Sequence, residues 1–254
     1  MKVAVFGAAG WVGRAVLKNF AGRHQVRAFE LNPGAWDTYS RFDGGPWDGD
    51  TVYGNIASFQ DVDGALEEIE SVVHLTAHFG RKGVADEHDE MPFLINVKGL
   101  WNVLEAARRR RIRRVVHVGS CHVKHPAGKF FTADVRRPDG SLYAVGKRLQ
   151  EELCRQYHEA HGLSIVVLRP DHIIDSGLGI SRDGVKVEDE LGGICRHDLA
   201  EACHRALESD LDFEILHVAA HPDADQYCNV AHTREVLGME FTRRIGQRRG
   251  EADD

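Results

Sequence analysis

Cysteine is scarce and unordered in this chain: five residues in 254, at positions 121, 154, 195, 203 and 228, with no Cys-x-x-Cys pair. An odd, scattered set excludes a disulfide framework and points to reduced thiols in a cytoplasmic protein. Long apolar runs are missing. The N-terminal Met-Lys-Val-Ala-Val-Phe is too short for a secretory signal and is broken by glycine at 7 and 10. Nothing approaches the roughly 20 apolar residues that span a bilayer, so no membrane partner is expected. A basic excess is also missing. Thirty-two Lys and Arg face 39 Asp and Glu, a net charge of −7 that argues against nucleic acid. No fixed-period repeat or low-complexity segment occurs, and the acidic end Glu251–Asp254 reads as frayed.

What is present is alternation. Short β-branched runs fall at residues 2–6, 26–29, 51–53, 71–75, 114–118, 164–169 and 213–218. Helical patterns separate them, following Gly7 to about residue 21 and at 61–69, 94–110, 143–161, 197–209 and 229–237. That order predicts an α/β fold with a mainly parallel sheet covered on both faces. Residues 171–195 are rich in Asp, Gly and charge and read as a loop or lid.

The first strand runs into Gly7-Ala-Ala-Gly10-Trp-Val-Gly13, which opens the first helix. Small residues there let backbone approach a pyrophosphate, and the helix N-terminus supplies N–H groups and a positive dipole end. The turn makes Gly7, Ala9, Gly10, Trp11, Val12 and Gly13 cofactor candidates. Trp11 is placed to shield the pyrophosphate. Glu30 ends the second strand, 20 residues past Gly10. Its carboxylate suits the two ribose hydroxyls of NAD and repels the extra phosphate of NADP.

A second constellation lies farther along. Ser120 follows the strand at 114–118, and Tyr143 and Lys147 stand four residues apart on a helix that begins 23 residues later. Strand ends of a parallel sheet gather at one edge, so Ser120 meets the glycine turn there. A tyrosine with a pKa near 10 is a poor base at neutral pH, and a neighbouring ammonium lowers that value. A serine hydroxyl holds a substrate hydroxyl in line. Ser120, Tyr143 and Lys147 are therefore the catalytic candidates. His122 shares the strand end and is a substrate-binding candidate.

His117, His122 and His125 match no zinc spacing, and no metal is expected. The arginines at 108–111, 113 and 114 fall at a helix C-terminus, where cations suit the dipole. Trp11, Trp36, Trp47 and Trp101 follow no pattern.

Together these motifs resemble the extended short-chain dehydrogenase/reductase family, the NAD-dependent epimerase/dehydratase group. The resemblance runs through Gly54-Asn-Ile56, Val73-His-Leu-Thr-Ala77, Asn96-Val-Lys-Gly99, Tyr143-Ala-Val-Gly-Lys147 and Leu168-Arg-Pro170. It implies a Rossmann-type doubly wound sheet over 1–170, with a small C-terminal substrate lobe at 171–254 partly integrated into it. It implies that Asn55 and Ile56 lie near the adenine. Leu75, Thr76 and Ala77 lie by the cofactor, Asn96 holds the lysine's proton-relay water or backbone, Tyr143 also touches the cofactor, and Lys147 also bonds the nicotinamide ribose. It also implies a homodimer or higher homo-oligomer through helices 94–110 and 143–161.

Within that family the chain looks most like the sugar-oxidising uronate dehydrogenase branch. Glu30-Leu-Asn-Pro33, Ser120-Cys-His122, Pro138-Asp-Gly-Ser-Leu-Tyr143, Arg196-His-Asp198 and the segment 219–229 carry that likeness. It adds Cys121 to the substrate candidates. Such enzymes place an arginine about eight residues before the His-Asp pair to bind the sugar carboxylate. Here that position is Asp189, which leaves Arg182 or Arg196 as substitutes. The activity implied is oxidation of a sugar, sugar acid or small polyol hydroxyl. A nucleotide-sugar epimerase or dehydratase with tightly bound NAD is the alternative. A non-catalytic NAD-binding regulator is a third reading, opposed by the intact Ser, Tyr and Lys.

Overall fold

A computed structural model describes residues 1–80, 83–123, 140–226, 228–243 and 245. His125 and the acidic end at 251–254 lie outside the described residues. Seven strands form one sheet: β1 (Lys2–Phe6), β2 (Gln25–Glu30), β3 (Asp50–Tyr53), β4 (Ser71–His74), β5 (Arg114–Val118), β6 (Ile165–Pro170) and β10 (Phe213–Val218). Their order is β10-β6-β5-β4-β1-β2-β3, and every neighbouring pair is parallel. The parallel doubly wound sheet is as the alternation requires.

Strand alternation sorts side chains into two cores. Val3, Val5, Val116 and Val118 face one layer with α1 (Trp11–Phe20) and α6 (Arg196–Glu208). Ala4, Phe6, Val115 and Val167 face the other, with α3 (Phe59–Ala65), α4 (Gly99–Arg110) and α5 (Leu142–His161). Two short helices complete the set: α2 (Ser40–Asp43) and α7 (Val230–Leu237).

Two sequence expectations change. Residues 171–195 are not a loop throughout. They hold β7 (His172–Asp175), β8 (Ile180–Ser181) and β9 (Gly193–Cys195), a second sheet of order β8-β7-β9. The strands are two to four residues long, and β9 lies far along the chain from its partner β7. Ile173 opposes Ile194 and Ile174 opposes Cys195, so local composition carries no sign of them. The helix assigned to 94–110 begins as a π-helix over Phe93–Lys98 before α4. The C-terminal segment returns through α6 and places β10 beside β6 along its whole length.

All five cysteines are reduced and buried. Among the described residues no helix is long and apolar enough to cross a membrane.

Candidate active site

The glycine turn is built as tightly as its residues allow. Gly7 has φ +82°, a conformation that a side chain disfavours. A Cβ at Gly13 would lie 2.2 Å from the Gly7 carbonyl oxygen, so only glycine lets α1 press against the end of β1. Gly10 is the N-cap of α1 and leaves that end without a side-chain cap. Arg14, which sequence reasoning missed, is buried under the turn. It donates to the carbonyls of Ala9 (3.1 Å), Gly44 (3.0 Å) and Trp36.

Glu30 reaches back to the turn from the end of β2. Its Oε1 accepts from the Ala9 N–H at 2.8 Å and its Oε2 from the Leu31 N–H at 3.2 Å. Burial pushes its pKa up, and those two backbone donors oppose the rise. Ala9 itself is buried and acts by holding this carboxylate.

Ser141 caps α5 by accepting from the Ala144 N–H, which sets Tyr143 in the first helical turn and Lys147 one turn later. Ser120 is 3% exposed, accepts from the His122 N–H at 3.2 Å and hydrogen-bonds the Tyr143 hydroxyl. The Tyr143 ring stacks on Phe79, with centroids 4.9 Å apart, and meets the edge of His122 at 5.3 Å. Arg182 covers the outer face of Phe79, its Cζ 4.0 Å from the ring centroid.

The electrostatics differ from the sequence expectation. Burial pushes the Tyr143 phenol up to about 12. The Ser120 hydrogen bond and the Arg182 charge pull the other way. Lys147 stands over the ring of the same tyrosine. The lysine is 2% exposed and donates to the Val118 carbonyl at 3.0 Å, with its Nζ 5.8 Å from the tyrosine ring centroid. Burial pushes the Lys147 ammonium down to about 8, against the pull of Glu151 one turn on. Glu151 is held by Arg169, whose Nε donates to it at 2.6 Å. Beneath the lysine, His74 and His117 are fully buried, with their Nδ1 atoms 3.0 Å apart.

One cavity of about 860 Å³ joins these parts. Gly7, Gly10, Trp11, Val12, Gly13, Glu30, Leu75, Thr76 and Ala77 line one end, and Ser120, His122, Tyr143, Lys147 and Arg182 the other. Several expected residues lie elsewhere. Ile56 is buried against Gly99, and its carbonyl accepts from Asn102. Asn55 donates its N–H to Asp61 and accepts from Ala57 with its side chain. Ile56 is buried, whereas Asn55 lies at the surface, where the loop after β3 bonds its own polar groups. Asn96 is fully buried. Its side chain exchanges two hydrogen bonds with His78, and its carbonyl accepts from Gln150 at 2.7 Å. Cys121 is buried behind His122 and donates to Asp171. Arg196 is excluded from binding a ligand carboxylate. It is 2% exposed, bonds Asp175 and Asp43, and stacks on Trp11 at 3.9 Å.

The cavity also includes Phe79, Tyr39 and Asp171, which the sequence analysis did not select. Asp171 directly follows Leu168-Arg-Pro170 at the β6 strand end, a position that could have flagged it. Phe79 has no comparable signal.

Comparison with known proteins agrees with this geometry. Residues 3–179 match the NAD dependent epimerase/dehydratase family. The chain is 27% identical to the L-arabinose 1-dehydrogenase (NAD(P)(+)) of Haloferax volcanii, covering 93% of this chain and 94% of that one. It spans 48% of the length of the 3-beta-hydroxysteroid dehydrogenase of Mycolicibacterium neoaurum, which it matches at 25% identity. The fold is that of the UDP-glucose 4-epimerase of Brucella ovis in complex with NAD: TM-score 0.74, 19% identity, 95% of this chain and 93% of that one. It is also that of a mutant uronate dehydrogenase of Agrobacterium tumefaciens complexed with NAD: TM-score 0.72, 22% identity, 94% of this chain and 83% of that one. A tight glycine cradle, a carboxylate turned toward it and a Ser-Tyr-Lys set across one cavity fit NAD as cofactor. The chain is an enzyme of the NAD-dependent epimerase/dehydratase family.

Proposed function

We propose that the protein oxidises a hydroxyl of a sugar, sugar acid or related small polyol to a ketone or lactone. The single observation that carries this reading is the continuity of the cavity from the glycine turn and Glu30 to Ser120 and Tyr143. Bound NAD supplies the acceptor for the two electrons of the oxidation. Ser120 holds the substrate hydroxyl, and Tyr143, as phenolate, takes its proton. Lys147, fixed on the Val118 carbonyl, positions the helix face that carries the tyrosine.

Because burial pushes the phenol up to about 12, its ionised fraction and hence the oxidation rate are expected to rise with pH above neutrality. The polar groups at the outer end of the cavity are His122, Asp171, Arg182 and Asp183, a set suited to a multiply hydroxylated substrate. Arg182 is the available partner for a substrate carboxylate, and the 171–254 region supplies the substrate side. A homo-oligomer through α4 and α5 belongs to the same reading.

The test is NADH formation across a panel of uronic acids, aldoses and polyols. Steady NADH production with at least one of them is expected. Absence of turnover on the whole panel, with NAD retained tightly and UDP-sugars interconverted without net NADH, would overturn the reading in favour of an epimerase. Tyr143→Phe should lower the rate by about 10²- to 10⁴-fold while leaving NAD affinity close to unchanged. Retained activity in that variant would remove Tyr143 from the chemistry.

A further inference from the structure

Far from the cavity, at the other edge of the sheet, two histidines and a glutamate converge. His24 stands just after α1 and just before β2, and His204 and Glu208 lie one turn apart on α6. The Nε2 of His24 is 3.0 Å from the Nδ1 of His204 and 4.0 Å from Glu208 Oε1. One ligand atom from each residue lies within 4.8 Å of the other two. The His24 side chain is 2% exposed, whereas that of Glu208 is 49% exposed, so the group is walled on one side and open on the other. Phe20, fully buried, lies edge-on to the ring of His24 at 4.9 Å and to that of His204 at 6.1 Å. Among the described residues the Nδ1 of His24 has no hydrogen-bond partner, and packing with the His204 and Glu208 contacts holds the ring.

We propose that His24, His204 and Glu208 form a binding site for a borderline divalent transition-metal ion such as Zn²⁺, which staples the connection between α1 and β2 to α6. Two imidazole nitrogens and one carboxylate oxygen are the donor set such ions take, with water completing a tetrahedron. Ligand nitrogens bound to one zinc at about 2.0–2.1 Å lie roughly 3.4 Å apart, a few tenths of an ångström wider than the separation here. Burial holds both histidines below their ordinary pKa, so both offer lone pairs at neutral pH. The Met1 amino group and Arg23 add to that lowering at His24. Arg23 and Arg205 do not quench the site's own carboxylate. Both pair with Glu201, at 2.8 and 2.9 Å. Sequence spacing gives no sign of the site, because 180 residues separate its histidines.

Untagged full-length protein is titrated with Zn²⁺ by calorimetry, and its thermal midpoint is followed with and without the ion. The expected result is one Zn²⁺ per chain, a raised midpoint, and an affinity at least about tenfold weaker in both His204→Ala and Glu208→Gln. Both substituted positions are partly exposed, and NAD-binding measurements confirm that the variants are folded. Substitution of Co²⁺ should give the visible absorption of a tetrahedral site in the parent chain and not in His204→Ala. No Zn²⁺ uptake by the parent chain, or uptake of unchanged affinity in both variants, would overturn the proposal.

Discussion

At Tyr143, burial and charge act against each other. Burial raises the phenol pKa, while Ser120 and Arg182 favour the ionised form. The sequence analysis assigned the helping cation to Lys147 from its spacing, and the spacing does put both residues on one helix face. A periodicity argument cannot register that the Val118 carbonyl takes the ammonium, or that Arg182 arrives from the second sheet across Phe79. Removing the guanidinium should therefore leave a weaker acid. For Arg182→Gln we expect the rising limb of kcat/KM against pH to move to higher pH by about half a unit to one unit. The Arg182 side chain is 41% exposed, so added salt should reproduce part of that displacement in the parent enzyme. An unmoved limb in Arg182→Gln would show that the arginine does not tune the tyrosine.

Among the elements, the β1–turn–α1 unit leaves least room for change. A methyl group at Gly13 would meet two carbonyl oxygens, of Gly7 at 2.2 Å and of Ala8 at 2.5 Å, and neither can move without lifting α1 off the sheet. Gly13→Ala should cost about 1–3 kcal/mol, lower the thermal midpoint by several degrees and abolish measurable NAD binding. Gly64→Ala in α3, where an added Cβ meets nothing within 4 Å, should instead be neutral or slightly stabilising. Differential scanning calorimetry of the two variants separates these outcomes. Elements of this kind were legible. Strands β1, β5 and β6 are short apolar, valine-rich runs buried almost throughout, and the glycine spacing is imposed by sterics inside a single turn. What escaped notice depends on partners distant in the chain. Strands β7 and β9 exist because residues 172–174 meet residues 193–195. Asn96 keeps the position its motif gives it, yet its amide is spent on the His78 backbone, a contact that spacing does not encode.

For the molecule as a whole, the Arg196 guanidinium ties distant parts together. It bonds Asp175 at the end of β7, Asp43 at the end of α2 and the Trp11 carbonyl at the start of α1. Burial opposes ionisation of Asp175. Hydrogen bonds from His197, the Leu178 N–H and Arg196 outweigh it and hold the carboxyl below the usual carboxylate range. Its contribution to stability is therefore complete above about pH 4, the ordinary aspartate value, and is lost as pH falls from there through the lowered folded value. Asp175→Ala leaves Arg196 with Asp43 and the Trp11 carbonyl and should cost about 3 kcal/mol in urea unfolding at neutral pH. The variant should also lose less stability than the parent between pH 5 and roughly 2. An equal loss in both proteins would count against Asp175 as the titrating group.

The same tie bears on how this enzyme could change its substrate. Parallel strands β7 and β9 leave the frame at Pro170 and rejoin it at Arg196, while β8 and the turns around it hang outside that pair. Residues 176–192 are thus a cassette inserted between two anchored ends. They carry Arg182 and Asp183 into the cavity, whereas Ser120, Tyr143, Lys147 and the glycine turn belong to the frame. Grafting a cassette of different length or charge is expected to reshape the outer end of the cavity while leaving the glycine turn as it stands.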